Sequence, residues 1–245
     1  MKGVLKLGKI AGISIEVHWT FTLLLIWVVF LDIQRGGTTD SALMNVILIL
    51  LLFLCVVLHE LGHALAARRF DINTKKITLL PIGGVASLEK MPEKPWQELI
   101  VALAGPAVNL IIAILLLLVV PLKNYFGLDA DSLAQLLAAP RLETLLFYLL
   151  IANVMLVVFN LIPAFPMDGG RVLRAFLAMQ LPYVTATTIA ARVGQAIAVI
   201  LGLIGLASGG MLVLVALFVF LAAQAELTMA RVHDAARNFP PVGVP

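Results

Sequence analysis

The sequence has few of the residues that soluble and secreted proteins use in quantity. Only 13% of its 245 residues are charged, and Cys55 is the single cysteine. One cysteine cannot form an internal disulfide, so the sequence gives no sign of an oxidising compartment. No segment combines a short apolar core with the small-residue cleavage site of a secretory signal. The net charge of +3 says little about nucleic acid, and we expect no such partner.

Apolar residues, in contrast, are in excess. They make up 62% of the chain, and the mean hydropathy is +1.06, whereas a soluble domain is roughly 45–50% apolar. A helix that crosses the hydrocarbon needs about 20 such residues. Six runs approach this length, at about 17–33, 43–67, 97–122, 142–163, 189–208 and 210–230. We therefore predict an all-α polytopic membrane protein with about six transmembrane helices, although five spans and a re-entrant piece would also fit, because Arg192 and several glycines weaken the fifth run.

Two stretches outside these runs indicate β-structure. LKLGKIAGISIEV, before the first run, alternates apolar and polar residues between glycine breaks and predicts a short N-terminal β-hairpin. KKITLLPIGGVASLEKMP, between the second and third runs, predicts one or two membrane-associated strands with a Pro-Ile-Gly-Gly turn.

Lysines and arginines in short loops indicate the orientation of the spans. They are concentrated at the N-terminus and after the second, fourth and sixth runs: Lys2, Lys6, Lys9, Arg68, Arg69, Lys75, Lys76, Lys90, Lys94, Arg171, Arg174, Arg231 and Arg237. The alternate loops hold only Arg35, Lys123 and Arg141. This bias predicts that both termini are cytoplasmic, with Arg171 and Arg174 as cytoplasmic anchors.

The segment VVLHELGHALAARRF places three polar residues, His59, Glu60 and His63, in the second run. Placing an ionisable side chain at the centre of a membrane helix costs ~2.5–3.5 kcal/mol of free energy, so such a residue indicates a functional site. The two histidines are four residues apart, so on a helix they share a face and can hold one cation. Zinc bound by two imidazoles, a third protein ligand and water lowers the pKa of that water to about 7, and Glu60 is placed to take its proton. The sequence therefore predicts a metal site near the cytoplasmic end of this span.

The third metal ligand must come from another part of the chain. Several acidic residues fall in the outer loops, on the wrong side: Asp32, Asp40, Asp129 and Asp131. Glu16 and His18 lie at the cytoplasmic mouth of the first run, and Asp168 follows the fourth run at a depth that matches the histidines. Four residues around Asp168 are expected to break the helix: Pro163, Pro166, Gly169 and Gly170. Irregular backbone at this depth is tolerated where protein or a water-filled cavity covers it, and depth favours Asp168 as the ligand.

Three motifs in this order resemble the site-2 protease family of intramembrane zinc metalloproteases: HExxH in the second run, LAGPAVNL in the third and NLIPAFPMDGG after the fourth. The resemblance implies one zinc ion per chain, held by His59, His63 and Asp168, with Glu60 as general base. It also implies that Asn109, in the Gly-Pro-x-x-Asn motif, is a catalytic residue that lines the site. Many relatives carry a PDZ domain or a pair of CBS domains, and neither fits this sequence. We therefore expect a single transmembrane core domain over residues 1–245, either minimal or cut before a C-terminal regulatory domain.

The resemblance further implies the substrates, which are single-pass membrane proteins cleaved within or near their transmembrane segments. A helix hides its amides in its own hydrogen bonds, so the substrate must unwind before it is cleaved. The strand region could receive it by edge pairing, and Gly83 and Gly84 would allow close backbone approach. A surface hairpin without a substrate role is the alternative.

Three further residues within the apolar runs have alternative interpretations. Asn109 could donate a hydrogen bond to the substrate or join two helices, and the first is favoured. Asn153 is interpreted as a residue that joins helices. Cys55, one helical turn before His59, is interpreted as a small packing residue.

Other functions remain compatible with the sequence. A membrane metal transporter would also place histidines in the bilayer, but it would favour a second set of ligands, which the sequence lacks. A catalytically inactive membrane chaperone is a further alternative, although all the catalytic residue types are present. In a different integral-membrane HExxH protease, the third ligand would be a glutamate on a later helix, such as Glu143 or Glu226. The sequence leaves the oligomeric state open.

Overall fold

The computed structural model describes residues 3–81, 83–88, 94–125, 129, 131–132, 135–136, 139–208 and 210–238. The chain divides into two compact units. The first comprises residues 1–91 and 104–157, and the second comprises residues 92–103 and 158–245. The single core domain expected from the sequence stays a prediction.

The first unit contains the sheet that the sequence predicted in two pieces. Its strands are β1 (Val4–Ile10), β2 (Ile13–His18), β3 (Thr74–Leu80) and β4 (Gly83–Leu88), in the order β1-β2-β3-β4. β1 and β2 form the N-terminal hairpin, and their two-residue turn places Ala11 and Gly12 at positive φ, as a type I′ turn requires. β2 and β3 pair in parallel, and β3 and β4 are antiparallel. Both predicted β-regions are confirmed.

Most of the helices lie on the predicted apolar runs, and a further short helix, α5, lies between the fourth and fifth runs. They are α1 (Thr20–Gln34), α2 (Thr39–Arg68), α3 (Pro95–Val119), α4 (Leu142–Asn160), α5 (Asp168–Ala178), α6 (Tyr183–Ala207) and α7 (Met211–Asn238). In the part of the chain that the structure describes, five helices are long and apolar enough to cross a membrane, namely α2, α3, α4, α6 and α7. The polytopic helical fold is therefore confirmed.

The first predicted span differs from the structure. The sequence indicated a helix over about 17–33, but β2 extends to His18 and α1 begins only at Thr20. At 1.5 Å per residue, the 15 residues of α1 extend about 22 Å, which is shorter than the ~30 Å of hydrocarbon. The predicted count of six transmembrane helices is not confirmed.

One face of the sheet packs on the half of α2 that carries the histidines. Ile15 of β2 and Ile77 of β3 belong to a buried apolar cluster with Leu61 and Ala64 of α2. The sheet thus fixes the position of α2 next to the HExxH sequence.

At its other end, α2 begins with a capping box, in which the side-chain oxygens of Thr38 and Ser41 each accept a hydrogen bond from the other residue's backbone N–H.

A short turn precedes α5, and the two glycines that follow Asp168 have a different role from the predicted one. Gly169 and Gly170 do not break a helix, because they form the first turn of α5. A Cβ on Gly169 would overlap the carbonyl oxygens of Leu161 and Ile162, and a Cβ on Gly170 would lie 2.7 Å from the carbonyl carbon of Ala164. The two glycines therefore allow α5 to pack directly on the backbone of the preceding turn.

Arg174 is not the cytoplasmic anchor that the sequence suggested. It is 1% exposed, and its guanidinium donates to Oε1 of Glu98 and to Oε2 of Glu226, the latter at 2.9 Å. Its Cζ also lies 4.9 Å from the ring centroid of Phe165 and 5.2 Å from that of Tyr183. Burial alone would lower the pKa of Arg174, but the nearby acidic groups outweigh it and the pKa lies above its ordinary value. Arg174 is therefore a charged internal crosslink of the second unit.

Candidate active site

The two histidines of α2 face each other on one side of the helix, as their spacing predicted, with their ring nitrogens close to the separation that one shared metal ion requires. Nε2 of His59 lies 3.0 Å from Nε2 of His63, and both residues are 6% exposed. Two nitrogens bound to one tetrahedral zinc at 2.0–2.1 Å are about 3.3–3.4 Å apart. A shift of a few tenths of an ångström would therefore let both imidazoles bind one zinc ion, and the donor atoms fit the metal.

α3 reaches these imidazoles because a glycine stands at the point of closest approach. A Cβ on Gly105 would overlap Nε2 of His63 and lie 2.7 Å from Nε2 of His59. On α2, directly before His63, a Cβ on Gly62 would lie 2.7 Å from the carbonyl oxygen of Ala104 on α3. Two glycines, one on each helix, thus bring the backbones of α2 and α3 together, as small residues do in membrane helix pairs. Gly62 was not among the predicted site residues, although it lies within the HELGH pentad.

Asn109 contacts Nδ1 of His59, the ring nitrogen that points away from His63. Its Oδ1 is 2.5 Å from Nδ1 of His59, and its side chain is fully buried. An amide oxygen only accepts, so Nδ1 of His59 carries the hydrogen and Nε2 keeps its lone pair. The amide nitrogen of Asn109 donates to Oδ1 of Asn153 at 2.8 Å. The structure therefore gives Asn109 a positioning role, while its predicted contact with substrate stays a prediction.

Asn153 and Cys55 complete this buried polar group in the first unit. Asn153, which the sequence assigned to helix joining, links α4 to Asn109 on α3 and to the sulfur of Cys55 on α2, at 3.4 Å. Cys55 is a free, buried residue, as expected for a packing role. Neither residue lies in a recognisable motif, so the sequence held no signal of their connection to His59.

Glu60 lies beside β4 and is partly exposed. A Cβ on Gly84 would be 2.9 Å from Cγ of Glu60 and 3.5 Å from its Oε1. Gly83 adopts φ +138°, a conformation that favours glycine, and a Cβ there would meet open space. Gly84 therefore brings the backbone of β4, the last strand of the sheet, next to the carboxylate, whereas Gly83 supplies the positive φ where the strand begins.

Asp168 belongs to the second unit, where it is the first residue of α5 and only 7% exposed. A carboxylate at this position is stabilised by the partial positive charge of the helix N-terminus. Neither glutamate named as an alternative ligand is buried at the start of a helix. Glu143 is exposed, and Glu226 is the ion-pair partner of Arg174.

Comparison with known proteins identifies the family. The model of peptidase family M50 matches residues 47–201, which include the HExxH sequence and Asp168. A zinc metalloprotease of Methanocaldococcus jannaschii is 41% identical over 235 residues, which are 96% of this chain and 63% of the relative. Stage IV sporulation protein FB of Bacillus subtilis is 31% identical over 138 residues, or 55% of this chain and 42% of that protein. The chain thus spans less than two thirds of the length of these relatives.

A solved structure agrees with this family. The site-2 protease from Methanocaldococcus jannaschii is 43% identical and superposes with a TM-score of 0.61, covering 91% of this chain and 95% of that structure. The resemblance predicted from the three sequence motifs is confirmed. The chain belongs to peptidase family M50, the site-2 protease family.

Proposed function

We propose that this protein is an intramembrane zinc metalloprotease that hydrolyses peptide bonds within or near the transmembrane segments of other membrane proteins. The observation that carries the proposal is the pair of Nε2 atoms 3.0 Å apart on a long apolar helix, with Glu60 between the two histidines in sequence. A second, weaker candidate is metal transport. Transport favours several sets of ligands along a path, and the sequence shows no second set.

We infer that Asp168 is the third zinc ligand. It stands in NLIPAFPMDGG, the motif from which the family resemblance assigns it this role, and it follows the fourth apolar run at a depth that matches the histidines. Its burial at the start of α5 gives a carboxylate with restricted freedom. Three protein ligands leave a fourth position open for water or substrate, as catalytic zinc sites require.

Glu60 is the proposed general base. When bound, zinc supplies a Lewis acid that acidifies a water molecule and polarises the substrate carbonyl. Glu60 follows a ligand by one residue, so its carboxylate is adjacent to the metal position without completing the ligand set. It takes the proton from the attacking water and passes it to the leaving amine nitrogen. His59, held by Asn109, keeps its lone pair directed away from the amide.

The edge of β4 is the proposed docking site for the unwound substrate. β4 is the last strand of the sheet, and an extended peptide can add to such an edge through main-chain hydrogen bonds. Gly84 brings this edge next to Glu60, so a paired substrate strand would lie close to the base. Single-pass membrane proteins fit this site because one helix can unwind without disturbing partner helices.

The protein is an integral membrane protein, as the family and the five apolar helices indicate. We propose that its N- and C-termini are cytoplasmic and that the site lies nearer the cytoplasmic face, on the basis of the basic residues in alternate loops.

Metal analysis of purified protein tests the proposal. We expect about one zinc per chain, loss of cleavage of a single-pass substrate after chelation, and recovery on adding zinc back. Asp168→Ala should lower the zinc content, whereas the exposed control Asp131→Ala should not. Full zinc in Asp168→Ala would remove Asp168 from the ligand set, and two or more tightly bound ions would favour the transporter.

A further inference from the structure

A chain of buried amides connects His59 to the backbone of α4, entirely within the first unit. Nδ1 of His59 meets Oδ1 of Asn109, the amide nitrogen of Asn109 donates to Oδ1 of Asn153, and the amide nitrogen of Asn153 donates to the carbonyl oxygen of Leu149. The last two distances are both 2.8 Å. Asn109 and Asn153 are each 0% exposed, so water does not compete for these bonds.

The donor–acceptor direction of these hydrogen bonds is set at Leu149. A carbonyl oxygen accepts and never donates, so Asn153 must turn its NH₂ group towards Leu149. The other hydrogen of that NH₂ group is directed to the sulfur of Cys55 at 3.4 Å. The oxygen of Asn153 is therefore the atom that faces Asn109.

The same logic passes along the chain to the histidine. Because Asn153 presents an oxygen, Asn109 must present its NH₂ group to Asn153 and its own oxygen to His59. An oxygen at this position selects the imidazole tautomer with hydrogen on Nδ1. Nε2, which faces Nε2 of His63, is then the ring nitrogen whose lone pair can bind a metal ion.

We propose that Asn153 is a positioning residue of the metal site, which acts through Asn109 to fix the ring orientation and tautomer of His59. The inference rests on the proposed function and extends it to a residue outside the family motifs. Without Asn153, the amide of Asn109 loses the acceptor that distinguishes its two ends. It can then turn its NH₂ group towards His59, which favours the tautomer with hydrogen on Nε2, and that tautomer does not bind metal.

The test is the zinc affinity of detergent-purified protein, measured by competition with a chelator. Asn153→Leu has similar volume but no acceptor, and we expect it to bind zinc 10–100-fold more weakly, the usual loss when a ligand's hydrogen-bond partner is removed. Thr187→Val is the matched control. Thr187 is also 0% exposed and also donates to the carbonyl four residues earlier, but on α6, so its loss should leave the zinc affinity unchanged.

A second substitution separates positioning from packing. Asn109→Asp places a carboxylate beside His59, which presents an oxygen in either orientation and is a common partner of zinc-bound histidine. In this background, Asn153→Leu should lose little further zinc affinity, so the double variant should bind zinc more tightly than Asn153→Leu alone. A residue that only packs helices would not be rescued in this way. If Asn153→Leu does not fold, Asn153→Asp serves instead, because it keeps the oxygen that faces Asn109 and should bind zinc close to the wild-type affinity.

The outcomes are distinct. Wild-type zinc affinity in Asn153→Leu, or equal losses with and without Asn109→Asp, would overturn the inference and leave the protease proposal intact. Weak zinc binding by Asn153→Asp would also overturn it. A wild-type protein that binds no zinc would instead overturn the proposed function itself.

Discussion

Gly105 offers the sharpest structural test of the metal site, because it has no side chain where α3 meets the imidazoles. A Cβ at this position would lie 2.7 Å from Nε2 of His59 and closer still to Nε2 of His63. Ordinary contacts to a Cβ begin at 3.4 Å. In Gly105→Ala, His59 would therefore have to withdraw by about 0.7 Å, and His63 by more.

Zinc coordination does not tolerate displacements of this size. Zn–N bonds are 2.0–2.1 Å long, and a functional site keeps its ligand distances within about 0.2 Å. Two of the three proposed ligands would move by at least three times that margin. We expect Gly105→Ala to lose more zinc affinity than the ~10–100-fold that follows loss of a ligand's hydrogen-bond partner, and to lose cleavage with it.

Zinc competition against a chelator measures the effect on Gly105→Ala, with the unfolding temperature recorded on the same preparation. Gly202→Ala on α6 is the matched control, because its new Cβ would sit at an ordinary 3.5 Å from Cβ of Ala216. We expect the control to bind zinc normally. Near-wild-type zinc affinity in a folded Gly105→Ala protein would refute the geometry described for α2 and α3.

Other expectations follow from the remaining contacts. Arg174→Met should lower the free energy of unfolding by about 3–5 kcal/mol, because it leaves the buried carboxylate of Glu98 without its partner. Adding Glu98→Gln to this variant should restore a large part of the lost stability. Equal instability of the single and double variants in chemical denaturation would contradict this. Gly84→Ala should retain zinc but slow cleavage by up to ~10²-fold, since the new Cβ would lie 2.9 Å from Cγ of Glu60 and must displace it; an unchanged turnover number would argue against the proximity of β4 to the base. Cysteines introduced at the two termini should react with a membrane-impermeant reagent only from the cytoplasmic side, while buried Cys55 stays unlabelled; external labelling of the C-terminus would reverse the proposed orientation.

The parts of the molecule that the sequence predicted well are those that depend on local spacing. The i, i+4 spacing of His59 and His63 fixes a shared helical face whatever the rest of the fold does. The hairpin before α1 depends on alternation and a glycine turn, which are also local. Even the close packing of Gly105 had a signal, since it lies in the Gly-Pro-x-x-Asn motif.

Long-range polar partners were beyond such reasoning. Arg174 follows the fourth apolar run, in a position where an arginine ordinarily extends to the membrane surface. Its partners Glu98 and Glu226 are 76 and 52 residues away in sequence, so no local pattern distinguishes a buried crosslink from an anchor. Asn153 is 44 residues from Asn109, and its bond to that residue emerges only when α3 and α4 are packed.

The predicted element boundaries were wrong where two kinds of structure compete for the same residues. The apolar run at about 17–33 has the composition of a membrane helix, but the residues up to His18 pair with β1 and β3 instead. The glycine pair after Asp168 resembles a helix break in sequence, yet it serves close packing within α5. In both cases tertiary contacts outweigh the local preference.

The most direct test of the central claim is the substitution Glu60→Gln. Glutamine keeps the shape of the side chain and its hydrogen bonding but lacks the basic carboxylate. Zinc content and cleavage of a single-pass substrate should be measured on the same detergent preparation, alongside the wild type. We expect full zinc content and at least ~10²-fold slower cleavage, the lower range for loss of a general base. Cleavage near the wild-type rate by a zinc-loaded Glu60→Gln protein would contradict the proposed mechanism.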